Sequence, residues 1–402
     1  MEKKLIIAVN NNTLVNAVAI KEQYFKSSHI DLLIIVAANN ASFDNIMYDI
    51  IMHSKIFKNV YLLEMDEINR FIKFACTTKI KKLFYFNELN KYFKNKLKNI
   101  GPENYTHIIC PFFVQYVPNI IEVFKKPNLI INFYEEGTSV YDCTIDELIR
   151  FNYFQIKPNN LIARIKWFTK YFFNNFILIH KLKQYVDRRM YVYWPEHLKE
   201  RNVSYFKLNS LNLSIDTKLF LKVYYEHLDY IKRYIYENAK VIFLSTYMQD
   251  TVATQEKLVE DILHIIPNRK VVLKMHPSST AVRTKFAADE EDKCYIDRDL
   301  FYFESLNING GFSNKILISV NTSAVMNAKT MFQEEPYMIF LYKMTSYYYT
   351  SERFRTVVDK YTADLIETYN DKDKIAIPNS TLEFKYILKK FYKQVTRKDT
   401  DI

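Results

Sequence analysis

The chain has 402 residues, a formal net charge of +11, 49% hydrophobic residues and 25% charged residues. That is the size and balance of two globular domains rather than of a disordered or fibrous protein. The positive balance asks for an anionic partner, whether nucleotide, acidic sugar, nucleic acid or membrane surface, without choosing among them. Cys76, Cys110, Cys143 and Cys294 lie far apart with no CxxC or Cys/His pattern; neither a zinc site nor a disulfide framework is indicated, and a reduced cytosolic compartment fits.

An apolar run at 5–9 opens the chain, too short for a signal peptide, and gives way to Asn10-Asn11-Asn12. Nowhere do about 18 uninterrupted apolar residues suggest a membrane span. The pattern then predicts a helix over 13–25, a strand over 31–37, a helix over 43–51 and a strand over 60–64. Such alternation argues for a parallel sheet wrapped by helices. A helical stretch carrying Lys91, Lys94, Lys96 and Lys98 follows, and strands resume at 106–113 and 128–134. Together these predict a doubly wound domain over 1–149.

Residues 150–189 turn basic and aromatic, with Asp187 the only acid. Leu161, Ile165, Phe168, Phe172, Phe176, Ile179 and Val186 fall at helical spacing, so 150–207 reads as a helical segment and linker. Its apolar face either lies on an anionic membrane or packs on protein, its own or a second subunit's. From 208 a helical stretch passes Tyr224 and Tyr236, and strands follow at 240–245, 271–275, 316–320 and 337–341. This is a second α/β domain over 208–380. Residues 381–402 form a basic amphipathic helix, over 382–395, and a frayed tail.

The chain contains four glycines, against an average usage of about 7%, so glycine is kept for places where backbone sterics demand it. One closes the strand exit Glu135-Glu136-Gly137. Ligands bind at the carboxyl ends of strands in an open α/β sheet, and a glutamate there suits a general base; the alternative is a surface turn with two solvated acids. A second strand runs into His276-Pro277, with proline fixing the turn. A histidine at that exit can neutralise or protonate a departing phosphate, or simply cap the turn. A third ends before Thr322-Ser323 at a helix start, a phosphate cradle or an N-cap. No GxGxxG or Walker pattern is present.

In this order, Glu135-Glu136-Gly137, His276-Pro277 and Thr322-Ser323 resemble the motifs of bacterial sialyltransferases that build lipooligosaccharide and capsule. Glycosyltransferase family 52 stands first, with the polysialyltransferases and marine-bacterial sialyltransferases as relatives. Lys274 and Glu304 resemble that group's donor-nucleotide residues, the glutamate gripping ribose hydroxyls. The pattern departs in carrying Thr322 where a first serine is frequent, and in pairing two glutamates, of which Glu135 is taken as the base.

The resemblance implies an α/β, GT-B-like chain with two Rossmann-like doubly wound domains facing a central cleft. It implies inverting transfer from cytidine monophosphate–sialic acid to an acceptor oligosaccharide or glycolipid, such as a galactoside. Glu135, Glu136 and His276 would be catalytic, and Lys274, Pro277, Glu304, Thr322 and Ser323 would bind the donor, with no metal and no cofactor. A cytoplasmic protein, peripheral on the plasma membrane and homodimeric, is the accompanying expectation. Rival readings are a transferase using cytidine monophosphate–Kdo or a uridine diphosphate sugar, and a non-catalytic nucleic-acid or membrane-surface binder. Against nucleic acid stands the absence of any RRM, zinc-finger or helix-turn-helix signature.

Overall fold

The computed structural model describes residues 2–36, 44–64, 85–111, 117–136, 181–199, 206–246, 252–267, 269–276, 293–299, 301–308, 311–320 and 322–397. The chain divides into two compact units, Met1–Thr217 and Lys218–Ile402. In the first, β1 (Lys3–Ala8), β2 (Ile30–Val36), β3 (Val60–Glu64), β4 (Tyr105–Pro111), β5 (Ile130–Tyr134), β6 (Val186–Val192) and β7 (Lys207–Ser210) form one sheet in the order β3-β2-β1-β4-β5-β6-β7. Every pairing is parallel. Leu5, Ile6, Ile7, Ile30, Leu32, Leu33 and Ile34 are fully buried, which is why these strands read as continuous apolar runs: a parallel sheet covered on both faces leaves no polar side.

The second unit repeats the plan. Strands β8 (Val241–Leu244), β9 (Val271–Lys274), β10 (Tyr295–Asp297), β11 (Ile316–Ser319), β12 (Tyr337–Phe340) and β13 (Ile375–Ala376) lie in the order β10-β9-β8-β11-β12-β13, again all parallel. In both sheets the order reverses beside the first strand, between β1 and β4 and between β8 and β11. That is the doubly wound arrangement, with a crevice outside the carboxyl ends at each reversal. Phe303 stacks on Phe312 at 5.0 Å in the second core, whereas Tyr105 meets Phe124 edge-on at 5.5 Å in the first.

Most expected elements stand within a residue or two of their predicted ends, and the differences have tertiary causes. The helix expected through Val186 stops short of it, because Val186–Val192 is β6, paired between β5 and β7. Backbone pairing on both sides overrides the helical spacing of its side chains. Strand β7 joins the same sheet, so the described part of 150–207 contributes two strands rather than a linker, and the first unit runs on to Thr217. Residues 150–180, the bulk of the expected amphipathic helix, lie outside the described residues. Strands β10 and β13, three and two residues long, are too short for a periodicity to show. Gly101 and Gly311 adopt φ of 68° and 53°, the left-handed region that glycine enters without steric cost. Cys110 and Cys294 are both buried.

Candidate functional site

In the first unit Pro111, Tyr134 and Tyr191 are in register at the carboxyl edge of β4, β5 and β6, and the two glutamates come directly after β5. Glu135 turns back into the protein and is 3% exposed. Its Oε2 accepts the Tyr193 amide at 2.7 Å, and its own amide donates to the Tyr191 carbonyl at 3.0 Å. Its carboxylate is thus held against β6. Glu136, the next residue, is half-buried. Burial pushes its carboxyl from the ordinary 4.5 up to about 7.

The helix Asn11–Tyr24 brings three asparagines to this turn. Asn16 Nδ2 donates to the Glu135 carbonyl at 2.7 Å, Asn12 Nδ2 to the Glu136 carbonyl at 2.6 Å, and Asn10 Nδ2 to Glu136 Oε1 at 3.4 Å. Asn10 is also the N-cap, closing a capping box with Thr13. Sequence reasoning missed these residues by reading Asn10-Asn11-Asn12 only as the polar end of the apolar run. Their signal was the four-residue step from Asn12 to Asn16, which puts both on one helix face. Gly137 lies outside the described residues.

In the second unit Asp297, Lys274, Leu244 and Ser319 are in register across β10, β9, β8 and β11, so the residues that leave these four strands share one carboxyl edge. His276, half-buried, donates its amide to Ser245 Oγ at 2.7 Å, and the Ser245 amide donates to the Lys274 carbonyl at 3.0 Å. Ser245 is a second residue that sequence reasoning passed over. Thr322 is extended, at φ −142° and ψ 138°, immediately before the helix Ser323–Thr330, and its side chain makes no capping bond. Its hydroxyl and that of Ser323 are half-buried at the helix N-terminus. Ser319 at the end of β11 is fully buried, and its Oγ has no hydrogen-bond partner among the described residues. Pro277 lies outside the described residues.

Lys274 and Glu304 are more deeply set than a ligand-facing role suggests. The Lys274 ammonium donates to the Asp299 carbonyl, lies 3.9 Å from Asp297 Oδ2 and sits 4.7 Å from the Phe301 ring centre. Lys232 binds the same two aspartates, and the Tyr236 hydroxyl donates to Asp297 at 2.7 Å. Asp297-Arg298-Asp299 has the Asp-x-Asp pattern of a metal-binding triplet, which sequence reasoning wrongly took to be absent, and both carboxylates are engaged by these lysines. Among the described residues no group of three His, Cys, Asp or Glu side chains is arranged to hold a metal ion. Glu304 is 7% exposed and accepts from Asn327 Nδ2 at 2.8 Å. Burial raises its pKa, and the Asn327 bond opposes the shift.

The chain is similar to solved structures of the same architecture. A putative UDP-N-acetylglucosamine 2-epimerase from Listeria monocytogenes matches at 10% identity over 99% of this chain and 89% of that one, with a TM-score of 0.51. The UDP-GlcNAc 2-epimerase of Methanocaldococcus jannaschii matches at 13% identity over 98% and 92%, also at 0.51. The GT-B domain of a sialyltransferase from Photobacterium damselae matches at 12% identity over 94% and 100%, at 0.44. No curated protein sequence matches the chain. At these identities the likeness concerns the fold, which is α/β and GT-B-like with two Rossmann-like units. The activity class rests on the sequence family, whose description, alpha-2,8-polysialyltransferase (POLYST), names one of the relatives in the resemblance. That family's model matches residues 4–336, and the chain therefore belongs to the alpha-2,8-polysialyltransferase family and is a glycosyltransferase.

Proposed function

We propose that the chain moves sialic acid from cytidine monophosphate–sialic acid to a hydroxyl of an acceptor glycan, with inversion and without a metal. The observation that carries this reading is the family match over 4–336. The family's description points to a terminal sialic acid as acceptor, in place of the galactoside expected from the resemblance to family 52. The first unit supplies the base. A base must reach the acceptor hydroxyl and be deprotonated near neutral pH. Glu136, half-buried and with a pKa of about 7, meets both needs better than Glu135, whose carboxylate is turned into β6. Glu135 is then a positioning residue for the turn.

The second unit holds the donor. As the acceptor oxygen bonds to the anomeric carbon, its proton passes to Glu136. The bond from that carbon to the phosphate oxygen breaks, and its electron pair leaves with cytidine monophosphate. His276, the hydroxyls of Thr322 and Ser323 and the amides of the helix Ser323–Thr330 meet the phosphate, each charge-assisted bond contributing about 1.5–3 kcal/mol. Lys274 is engaged with Asp297 and Asp299, and Glu304, held by Asn327, is the residue that the resemblance assigns to the ribose hydroxyls. No step asks for a Lewis acid, so activity is expected to survive EDTA; its loss on chelation and return with a divalent ion would count against the mechanism.

The reading is tested by incubating the protein with cytidine monophosphate–sialic acid and two acceptor sets, oligosialic acids and galactosides, and analysing products by mass spectrometry and linkage analysis. Extension of oligosialic acid is the expected result. Extension of galactosides alone would restore the acceptor expected from family 52. Turnover only with cytidine monophosphate–Kdo or a uridine diphosphate sugar would reject the donor.

A further inference from the structure

The helix Thr381–Arg397 ends the described chain and carries two unlike faces. Phe384, Leu388, Phe391 and Val395 are buried, with Phe391 packed on Tyr337 at 4.9 Å, and Lys385 is tied to Asp261 at 2.7 Å. The helix is therefore fixed to the second unit along one side. On the opposite side Leu382, Tyr386, Lys389, Lys390, Lys393 and Arg397 are exposed. Their steps of three and four residues align them in one stripe, about 22 Å long at 1.5 Å per residue.

The stripe is divided along its length. Leu382 and Tyr386, 82% and 71% exposed, stand at its start and the four cations come after them. Lys389, Lys390 and Lys393 have no acidic partner among the described residues. The nearby acid, Glu383, accepts the Asn379 amide at 2.7 Å. No helix among the described residues is long and apolar enough to cross a membrane.

We infer that this stripe is a docking surface for an anionic phospholipid bilayer, with the cations on the headgroups and Leu382 and Tyr386 entering the headgroup–acyl boundary. Charge complementarity alone would also suit a soluble polyanion. The apolar end decides for the bilayer, because an aliphatic side chain gains from hydrocarbon and not from a hydrated, charged polysaccharide. Cations close to an anionic membrane each strengthen binding about fivefold. A fixed helix offers them without an ordering cost.

The test is co-sedimentation of the full chain with vesicles of phosphatidylcholine and phosphatidylglycerol, against phosphatidylcholine alone, at about 0.1 M salt. The triple variant K389Q/K390Q/K393Q is expected to lower the partition coefficient about 100-fold. The control K94Q/K96Q/K98Q, which removes the same charge from the first unit, leaves it near the wild-type value. L382S/Y386S is expected to lower it roughly tenfold or more while keeping the wild-type salt dependence. All substituted side chains are exposed or half-buried and outside the proposed machinery, so sugar transfer to a soluble acceptor and the thermal unfolding curve report that the fold is kept. Equal loss in the two lysine variants would mean net charge and not this helix, and would overturn the inference. Undiminished vesicle binding by L382S/Y386S would mean that the apolar end does not enter the bilayer and would overturn it equally.

Discussion

At Glu136, burial raises the carboxyl from 4.5 to about 7, and this couples activity and stability to pH in opposite senses. In its proposed role as base it works deprotonated, so kcat/KM is expected to rise through pH 7 and level off above. The E136Q variant loses that limb and about 10²–10⁴-fold in kcat; a limb that persists in E136Q would assign it to another group. For stability the folded pKa lies above the unfolded one, so the folded state binds more protons between pH 4.5 and 7. The contribution is complete below 4.5 and is lost as pH rises through 7, on the order of 1–3 kcal/mol. E136Q is accordingly expected to unfold at higher temperature than wild type at pH 8, by differential scanning calorimetry. Glu135 behaves otherwise. E135A leaves the buried Tyr193 amide without an acceptor and costs about 1–3 kcal/mol, whereas E135Q retains one and stays near wild-type stability by urea titration. That two glutamates stand at a strand exit was legible in the sequence; which of them is locked in place was not, because Glu135 is captured by a backbone amide 58 residues away.

At the scale of elements, the start of the helix Ser323–Thr330 separates two roles for Thr322. An N-cap hydroxyl bonded to the helix amides is worth about 0.5–2 kcal/mol, but the Thr322 side chain makes no such bond. T322V should therefore change stability by only a few tenths of a kcal/mol, while raising the donor KM roughly tenfold through loss of a phosphate hydrogen bond. A T322V protein that unfolds early with an unchanged KM would return the residue to capping. The helix Asn11–Tyr24 works in the other direction, its asparagines holding the Glu135-Glu136 turn from outside. Its existence follows from an apolar pattern and the Asn10 cap. Its use as a clamp requires β1 and β5 to be brought close, which only the sheet order does. Val186–Val192 makes the same point from the opposite side: its local spacing suits a helix, and pairing on both edges makes it a strand.

At the scale of the whole molecule, the same strand order recurs in both units without any repeat in the sequence, because right-handed crossovers between parallel strands leave few ways to cover a sheet on both faces. If the second unit alone holds the nucleotide, binding stabilises that unit first. A ligand at about 100 times its Kd adds about 2.7 kcal/mol. Cytidine monophosphate is therefore expected to slow amide exchange at 241–246, 271–276 and 322–330 while leaving 3–36 unchanged. Equal protection in both units, or none, would argue against this placement of the donor.

The sequence by itself determined the parallel α/β class, the alternation of elements in both halves and the strand exits at Glu135-Glu136, His276 and Thr322-Ser323, since buried runs, turn residues and helix starts are local signals. Only the tertiary structure decided that Glu135 is locked and Glu136 left half-buried, that Lys274 is engaged by Asp297 and Asp299, and that Val186 begins a strand. Those outcomes depend on which backbone groups and charges arrive from distant segments, and no local pattern encodes them.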